Sequence, residues 1–248
     1  MKAMVLAAGL GTRLRPLTND RPKALVEVAG RTMLEITLQR LRAFGVRDAI
    51  INAHHCAGQI LDYVKARENF GMHLEISREE VLLDTGGGLK KAAHFFLDDN
   101  AAANEPFILH NVDVISTIDL RRMLHAHRAS AALATLAVQQ RETSRYLLFD
   151  ERMQLRGRRT GIKGQDEYAR TPEKAEPLAF CGIHVISPRI FALMTEHGIF
   201  SIIDVYLRLS AAGEKIMAFR ADQYYWRDLG KPDQIQQAAE DLAKGAFR

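Results

Sequence analysis

Met4-Val5-Leu6-Ala7-Ala8-Gly9-Leu10-Gly11-Thr12-Arg13-Leu14-Arg15-Pro16-Leu17-Thr18, followed by Pro22-Lys23-Ala24-Leu25, is the stretch on which the reading of this 248-residue chain turns. The apolar run from Ala3 to Ala8 predicts a buried strand. It ends in two glycines one residue apart, Gly9 and Gly11. Glycine has no side chain, so a ligand can lie against backbone N–H groups there. Arg13, Arg15 and Lys23 follow close behind. Donor-rich backbone beside fixed cations suits a polyphosphate. A bare Gly-x-Gly is equally a tight strand-to-loop turn, so the longer string carries the weight. Two familiar phosphate loops are excluded. The dinucleotide fingerprint needs a third glycine where this chain has Leu14, and no Gly-Lys-Ser/Thr is present for a Walker A loop.

Working outward, 248 residues suit one large or two small domains with a sizeable core. Hydrophobic residues make up 47% and charged residues 26%, ordinary for a globular protein. No run of eighteen apolar residues predicts a membrane span. Met1 to Met4 pass straight into the first strand and do not read as a signal peptide. Cys56 and Cys181 are too few for a disulfide framework and form no Cys-x-x-Cys pair, so a reducing cytoplasm is expected. The 34 Lys and Arg are interleaved with 30 Asp and Glu, giving a net charge of +4. No basic stripe or aromatic platform points to nucleic acid, and the excess fits small anionic substrates. Adjacent His54-His55 and the pair His125, His127 lack the spacing of a zinc site.

Apolar spacing predicts helices over Met33–Phe44, Gly58–Phe70, Leu89–Leu97 and Thr117–Arg128, and shorter ones at Phe191–Glu196 and Ile202–Ala212. A last helix begins at Pro232 and runs to about Ala243, with proline suited to its first turn. Strands are expected at Asp48–Asn52, Met72–Ser77, Pro106–His110, Ala131–Gln139, Leu178–Ile186 and Lys215–Arg220. Strands alternating with helices in units of about thirty residues argue for an α/β, doubly wound, mostly parallel sheet. Thr143 to Pro177 shows no clear period. It reads as a solvated charged loop, or as a flap bringing Arg156, Arg158, Arg159, Lys163 and Lys174 to a phosphate.

Four further stretches carry candidate chemistry. Asp84-Thr85-Gly86-Gly87-Gly88 strongly disfavours regular structure and marks a turn. Asp113, in His110-Asn111-Val112-Asp113, ends a buried strand, where open α/β sheets bind ligands; an Asp capping the next element would look the same. Gly182 lies mid-strand, which marks either a bulge or a close ligand approach. Asp228, in Tyr225-Trp226-Arg227-Asp228-Leu229-Gly230-Lys231-Pro232, is on its own an ordinary turn residue.

Together these motifs resemble the signature of the sugar-1-phosphate nucleotidyltransferases: Leu-Ala-Ala-Gly-x-Gly-Thr-Arg-Leu-x-Pro-Leu-Thr, a short gap, then Pro-Lys-x-Leu. Every position matches. The glycine triplet is similar to that of the N-acetylmuramate-1-phosphate uridylyltransferases, which have Glu in place of Asp84. The resemblance implies an enzyme with a Rossmann-like sheet and a small sugar-binding β subregion. It divides one domain, 1–248, into a nucleotide-binding half (1–140), a sugar-phosphate part (141–230) and a C-terminal helix (231–248). It implies that Ala8, Gly9, Gly11 and Thr12 cradle the triphosphate and that Arg13 and Lys23 are catalytic cations. Gly86 and Gly87 would lie against the nucleoside and Gly182 against the sugar. Asp113 and Asp228 would bind Mg2+. The expected substrates are a nucleoside triphosphate, UTP foremost, and an N-acetylated amino sugar 1-phosphate. A mannose- or heptose-1-phosphate guanylyltransferase is the alternative, and a non-catalytic nucleotide-sugar-binding module a second. Three features depart from the family pattern: Val112 stands where a small residue is usual, Glu173-Lys174-Ala175 only partly matches Glu-Lys-Pro, and no base-reading Gln lies between Glu79 and Asp84. Oligomeric state is not legible.

Overall fold

The computed structural model describes residues 1–97 and 105–247. The first half holds β1 (Lys2–Leu6), the ribbon strands β2 (Glu27–Val28) and β3 (Arg31–Thr32), α1 (Met33–Ala43) and β4 (Asp48–Ala53). It continues through α2 (Ala57–Ala66), β5 (His73–Arg78), α3 (Asp84–Lys91), α4 (Ala93–Phe96) and β6 (Phe107–Asn111). Next come β7 (Val114–Ser116), α5 (Leu120–Ser130), β8 (Ala134–Gln139), β9 (Arg145–Phe149), β10 (Leu155–Thr160), β11 (Asp166–Tyr168) and the long β12 (Glu176–Ile186). The chain closes with α6 (Ile190–Leu193), α7 (Ile202–Ala211), β13 (Ile216–Arg220), β14 (Trp226–Asp228) and α8 (Pro232–Ala243).

Strands β5-β4-β1-β6 lie side by side and run parallel. Residues of β1 feed cores on both faces: Val5 packs with Leu38 and Ile60 on one, Met4 with Leu89 and Tyr206 on the other. That two-sided burial is why the strand is apolar without alternation. Beyond β6 the direction changes. β12 pairs antiparallel with β6, and β9, β10 and β11 continue outward from it. β8 also pairs with β12, with β13 parallel beside it. The sheet is thus Rossmann-like and parallel where the glycine loop emerges, and antiparallel on the other side.

Four expectations change. Thr143–Pro177 is neither a loop nor a flap for free cations; it forms the meander β9–β11. The three arginines of the expected flap are paired instead: Arg156 with Asp150 at 2.6 Å, Arg158 with Glu167 and with Asp204 of α7 at 2.8 Å each, Arg159 with Asp166. Cross-strand ion pairs replace apolar alternation there, which hides the strands from a periodicity test. The helix expected to reach Phe70 ends at Ala66, because Asn69 and Phe70 take left-handed φ values of 51° and 54°. The helix expected from Thr117 starts at Leu120, where Asp119 accepts the N–H groups of Arg121 and Arg122.

The glycine triplet is helical: all three residues lie inside α3 and are buried. Each glycine makes room for a neighbour. A Cβ on Gly86 would stand 2.5 Å from the Phe200 ring, and on Gly87 2.6 Å from the Gly198 carbonyl oxygen. On Gly88 it would stand 2.7 Å from Glu79 Oε1. Close packing, not a turn, selects glycine here.

Gly87→Ala should therefore destabilise the protein, although alanine gains about 1 kcal/mol in helix propensity. Overpacking against a backbone carbonyl costs about 1–3 kcal/mol, and a lowered urea midpoint is expected. A raised midpoint would show that α3 shifts freely. The core also holds neutral histidines. Burial pushes His184 down to about 3, and His110 and His127 down to about 4. Unfolding exposes rings that titrate near 6.5, so the unfolded state binds more protons below that pH. Stability should be full above about pH 6.5 and fall as pH drops toward 4, by roughly 1.4 kcal/mol per unit for each histidine. Urea midpoints that stay flat between pH 6.5 and 5 would show the rings to be solvated.

Candidate active site

The first glycine loop leaves β1 at the C-terminal edge of the parallel strands. Gly9 is exposed, with nothing within 4 Å of its Cβ position. Gly11 has φ +64°, and a Cβ there would meet Thr18 Cγ2 at 3.0 Å and Lys23 Cβ at 3.1 Å. Thr18 Oγ1 donates to the Gly11 carbonyl at 2.9 Å. The second glycine therefore lets the loop fold back over itself, while Gly9 keeps its backbone open. Ala8 is buried at the loop's base, and Thr12 and Arg13 are exposed at its tip.

The loop returns through Pro22 to a single 3-10 turn, Lys23–Leu25, where Lys23 is buried. Its ammonium forms an ion pair with Asp113. Asp113 sits in the two-residue turn between β6 and β7. The Leu229 N–H donates to the Asp113 carbonyl at 2.8 Å, and Asp228 lies opposite Val114 in the antiparallel β7–β14 ribbon. Two aspartates 115 positions apart in sequence thus become neighbours. Asp228 Oδ1 accepts the Gly230 N–H at 2.6 Å. A Cβ on Gly230 would stand 2.6 Å from both Arg13 Nη2 and Asp228 Oδ1, so the missing side chain admits the Arg13 guanidinium beside that carboxylate. Arg13, Lys23, Asp113 and Asp228 converge at the ends of β1 and β6, where ligands bind in such sheets.

Val112 causes no obstruction. Its side chain is 3% exposed within the core, and its N–H donates to the Leu6 carbonyl. Gly182 is both bulge and close approach: φ is +72°, the β12–β8 register shifts between Phe180 and His184, and a Cβ would meet Asn111 Nδ2 at 2.8 Å. It packs against the strand end that leads to Asp113. Gly86 and Gly87 face Phe200 and Gly198 on their Cβ sides, and both N–H groups reach the Phe200 carbonyl. Lys163 and Lys174 remain exposed on the meander side.

A buried polar chain escaped the sequence reading. Asn52 Oδ1 accepts the Ala7 N–H at 2.7 Å, and Asn52 Nδ2 donates to Glu79 Oε1 at 2.7 Å. Glu79 Oε2 then accepts the Leu83 N–H at 2.9 Å. Both side chains are nearly inaccessible. The chain ties the base of the first glycine loop to the start of α3. A polar residue at the C-terminal end of a buried parallel strand was the available signal for Asn52; nothing in the sequence marked Glu79 as its partner.

Asp113 and Asp228 suit a hard divalent cation, since both offer carboxylate oxygens, one from the β6–β7 turn and one from β14. Among the described residues no group of three or more His, Cys, Asp or Glu comes together as a metal cage. A pair of carboxylates is what magnesium takes when waters and substrate phosphates complete its shell.

Comparison with known proteins agrees with this geometry. The family model described as Nucleotidyl transferase matches residues 2–245. The N-acetylmuramate alpha-1-phosphate uridylyltransferase of Caulobacter vibrioides is 37% identical over 245 residues, covering 96% of this chain and 95% of that protein. A mannose-1-phosphate guanylyltransferase of Mycobacterium tuberculosis is 28% identical across 98% of this chain, which spans 65% of that longer protein. The solved structure of UDP-glucose pyrophosphorylase complexed with UDP-glucose superposes with a TM-score of 0.78 at 17% identity. The match covers 98% of each chain and speaks for the fold.

Proposed function

The chain belongs to the nucleotidyl transferase family and is an enzyme of sugar-1-phosphate nucleotidyl transfer, and on that premise we propose its substrates and site roles. It transfers a uridylyl group from UTP to an N-acetylated amino sugar 1-phosphate such as N-acetylmuramate 1-phosphate, in a magnesium-dependent reaction. The observation that carries the reading is the convergence of Lys23, Asp113, Asp228 and Arg13 on the first glycine loop. Similarity to the Caulobacter enzyme over nearly the whole chain favours UTP and the amino sugar. A guanylyltransferase acting on mannose 1-phosphate is the second reading, favoured by the Mycobacterium relative. A role in cell-wall precursor supply, in the cytoplasm, follows from the first reading.

A sugar 1-phosphate oxygen attacks the α-phosphorus in line; the new P–O bond forms as the α–β bridge breaks and pyrophosphate leaves. The nucleophile has a second pKa of about 6 and is largely ionised at pH 7, so no general base is needed. The barrier lies in joining two polyanions and stabilising charge on the leaving group, which is work for positioning and fixed charge. Backbone N–H groups from Ala8 to Thr12 cradle the triphosphate. Arg13 holds the β- and γ-phosphates and the departing pyrophosphate. Lys23, already beside Asp113, serves the α-phosphate. Gly86 and Gly87 would lie against the nucleoside and Gly182 against the sugar by backbone alone, since their Cβ sides face Phe200, Gly198 and Asn111. Asp113 and Asp228 would hold the magnesium ion, which supplies charge neutralisation at the phosphates.

Pyrophosphate release should be measured for UTP, GTP, dTTP, CTP and ATP, each crossed with a panel of sugar 1-phosphates. The expected signal is highest for UTP with N-acetylmuramate 1-phosphate. A preference for GTP with mannose 1-phosphate would establish the second reading, and silence in every pairing would overturn transfer. In the same assay Asp113→Ala should abolish turnover in a folded protein, and activity in that variant would sink the metal assignment. Arg13→Ala should lose at least about tenfold in kcat/KM, or ~1.4 kcal/mol. Unchanged kinetics would make that arginine structural.

A further inference from the structure

We propose that Arg141 is the receptor for an oxyanion of the sugar substrate, in a pocket of about 330 Å³ on the antiparallel side of the sheet. The proposal rests on the sugar 1-phosphate reading above and names the side chain that would select the sugar. The pocket is walled by Arg141, Tyr146, Arg159, Ile162 and Pro177.

Arg141 follows β8, and its guanidinium lies over the Trp226 indole at 3.8 Å from the ring centre. Nη2 donates to the Phe180 carbonyl at 2.8 Å. Trp226 is itself fixed by its Nε1–H, which donates to the Cys181 carbonyl at 2.8 Å. The fork is therefore held flat and pre-oriented. Its Nε is buried and has no hydrogen-bond partner among the described residues. A charged donor left in that condition is costly unless an acceptor arrives.

Among the described residues no carboxylate forms an ion pair with Arg141; besides the Phe180 carbonyl it has a hydrogen bond with the Cys181 side chain. The other cation of the pocket, Arg159, is already bidentate on Asp166, at 2.5 and 3.1 Å. Glu142, at the rim, is exposed and forms no ion pair with Arg141. Burial pushes the Cys181 thiol up to about 12, so that neighbour is neutral. The carboxylate whose field reaches Arg141 is Asp228, which stands two residues beyond Trp226 on the same face of β14 and beyond ion-pairing distance. The guanidinium, lining the pocket and stacked on Trp226 two residues before Asp228, thus lies near the centre where the sugar phosphate would react. A planar guanidinium recognises carboxylate or phosphate by its paired N–H geometry. The oxyanion has two possible sources on the sugar: the 1-phosphate, or an acid group on the ring such as the lactyl carboxylate of N-acetylmuramate.

Calorimetry separates them. The protein, saturated with a non-hydrolysable UTP analogue and magnesium, is titrated with N-acetylmuramate (carboxylate without phosphate) and with glucose 1-phosphate (phosphate without carboxylate). Arg141→Gln should weaken one of these probes at least tenfold while leaving the other unchanged, and Arg141→Lys should recover part of the loss. The affected probe names the oxyanion. Equal affinities in wild type and Arg141→Gln for both probes, or no binding of either to wild type, would overturn the proposal. Should Arg141→Gln fail to fold by thermal melting, Arg141→Lys decides: it keeps the charge but loses the fork, so a severalfold loss for one probe supports the assignment and unchanged affinity overturns it. Failure of the transfer reading shows itself separately, as absent pyrophosphate release whatever the calorimeter records.

Discussion

The short ribbon between Val114–Ser116 and Trp226–Asp228 is the contact on which the site depends. It is three residues long on each side and stands apart from the main sheet. Through it the last tenth of the chain returns to the end of β6. Asp228 is set beside Asp113, and Gly230 opens the gap that Arg13 fills. Lys23 would be costly to bury alone; pairing with Asp113 offsets that cost and fixes the ammonium at the mouth of the loop. Four charged groups from four separate segments thereby meet at one edge of the sheet.

The change of strand direction at β12 divides the labour. On the parallel side every strand delivers its C-terminal end to the same edge, which concentrates loop backbone and cations where a triphosphate would lie. On the antiparallel side hairpins build a wall instead. Ion pairs across β10 and β11 engage Arg158 and Arg159 of that wall. Arg141 keeps an unmatched N–H because an aromatic ring and a backbone carbonyl, not a carboxylate, hold it in place.

Buried polar contacts do for the loops what apolar packing does for the strands. Asn52 and Glu79 join the base of the first glycine loop to α3 through hydrogen bonds of 2.7–2.9 Å. The space they occupy exists because Gly88 has no side chain. The glycine triplet is thus a packing device on three fronts at once, and a helix containing it forms because tertiary contact outweighs weak local propensity.

By itself the sequence determined the parallel half of the fold and singled out the residues of the candidate site. β1, β4 and β6 are buried on both faces, so their apolar runs announce them, and the string from Leu6 to Leu25 is too particular to belong to a plain turn. Asp113 could be singled out by its place at the end of a buried strand and by the resemblance of its motif to the family's, Asp228 by that resemblance alone. The tertiary structure alone decided the rest. Strands stabilised by cross-strand charge, as in 145–168, leave no period to read. A glycine chosen to admit a neighbour looks identical in sequence to one chosen for a turn. The partners of Arg13, Lys23, Glu79 and Arg141 lie tens to more than two hundred residues away, and spatial pairing at that range is set by how the sheet closes, which no local pattern records.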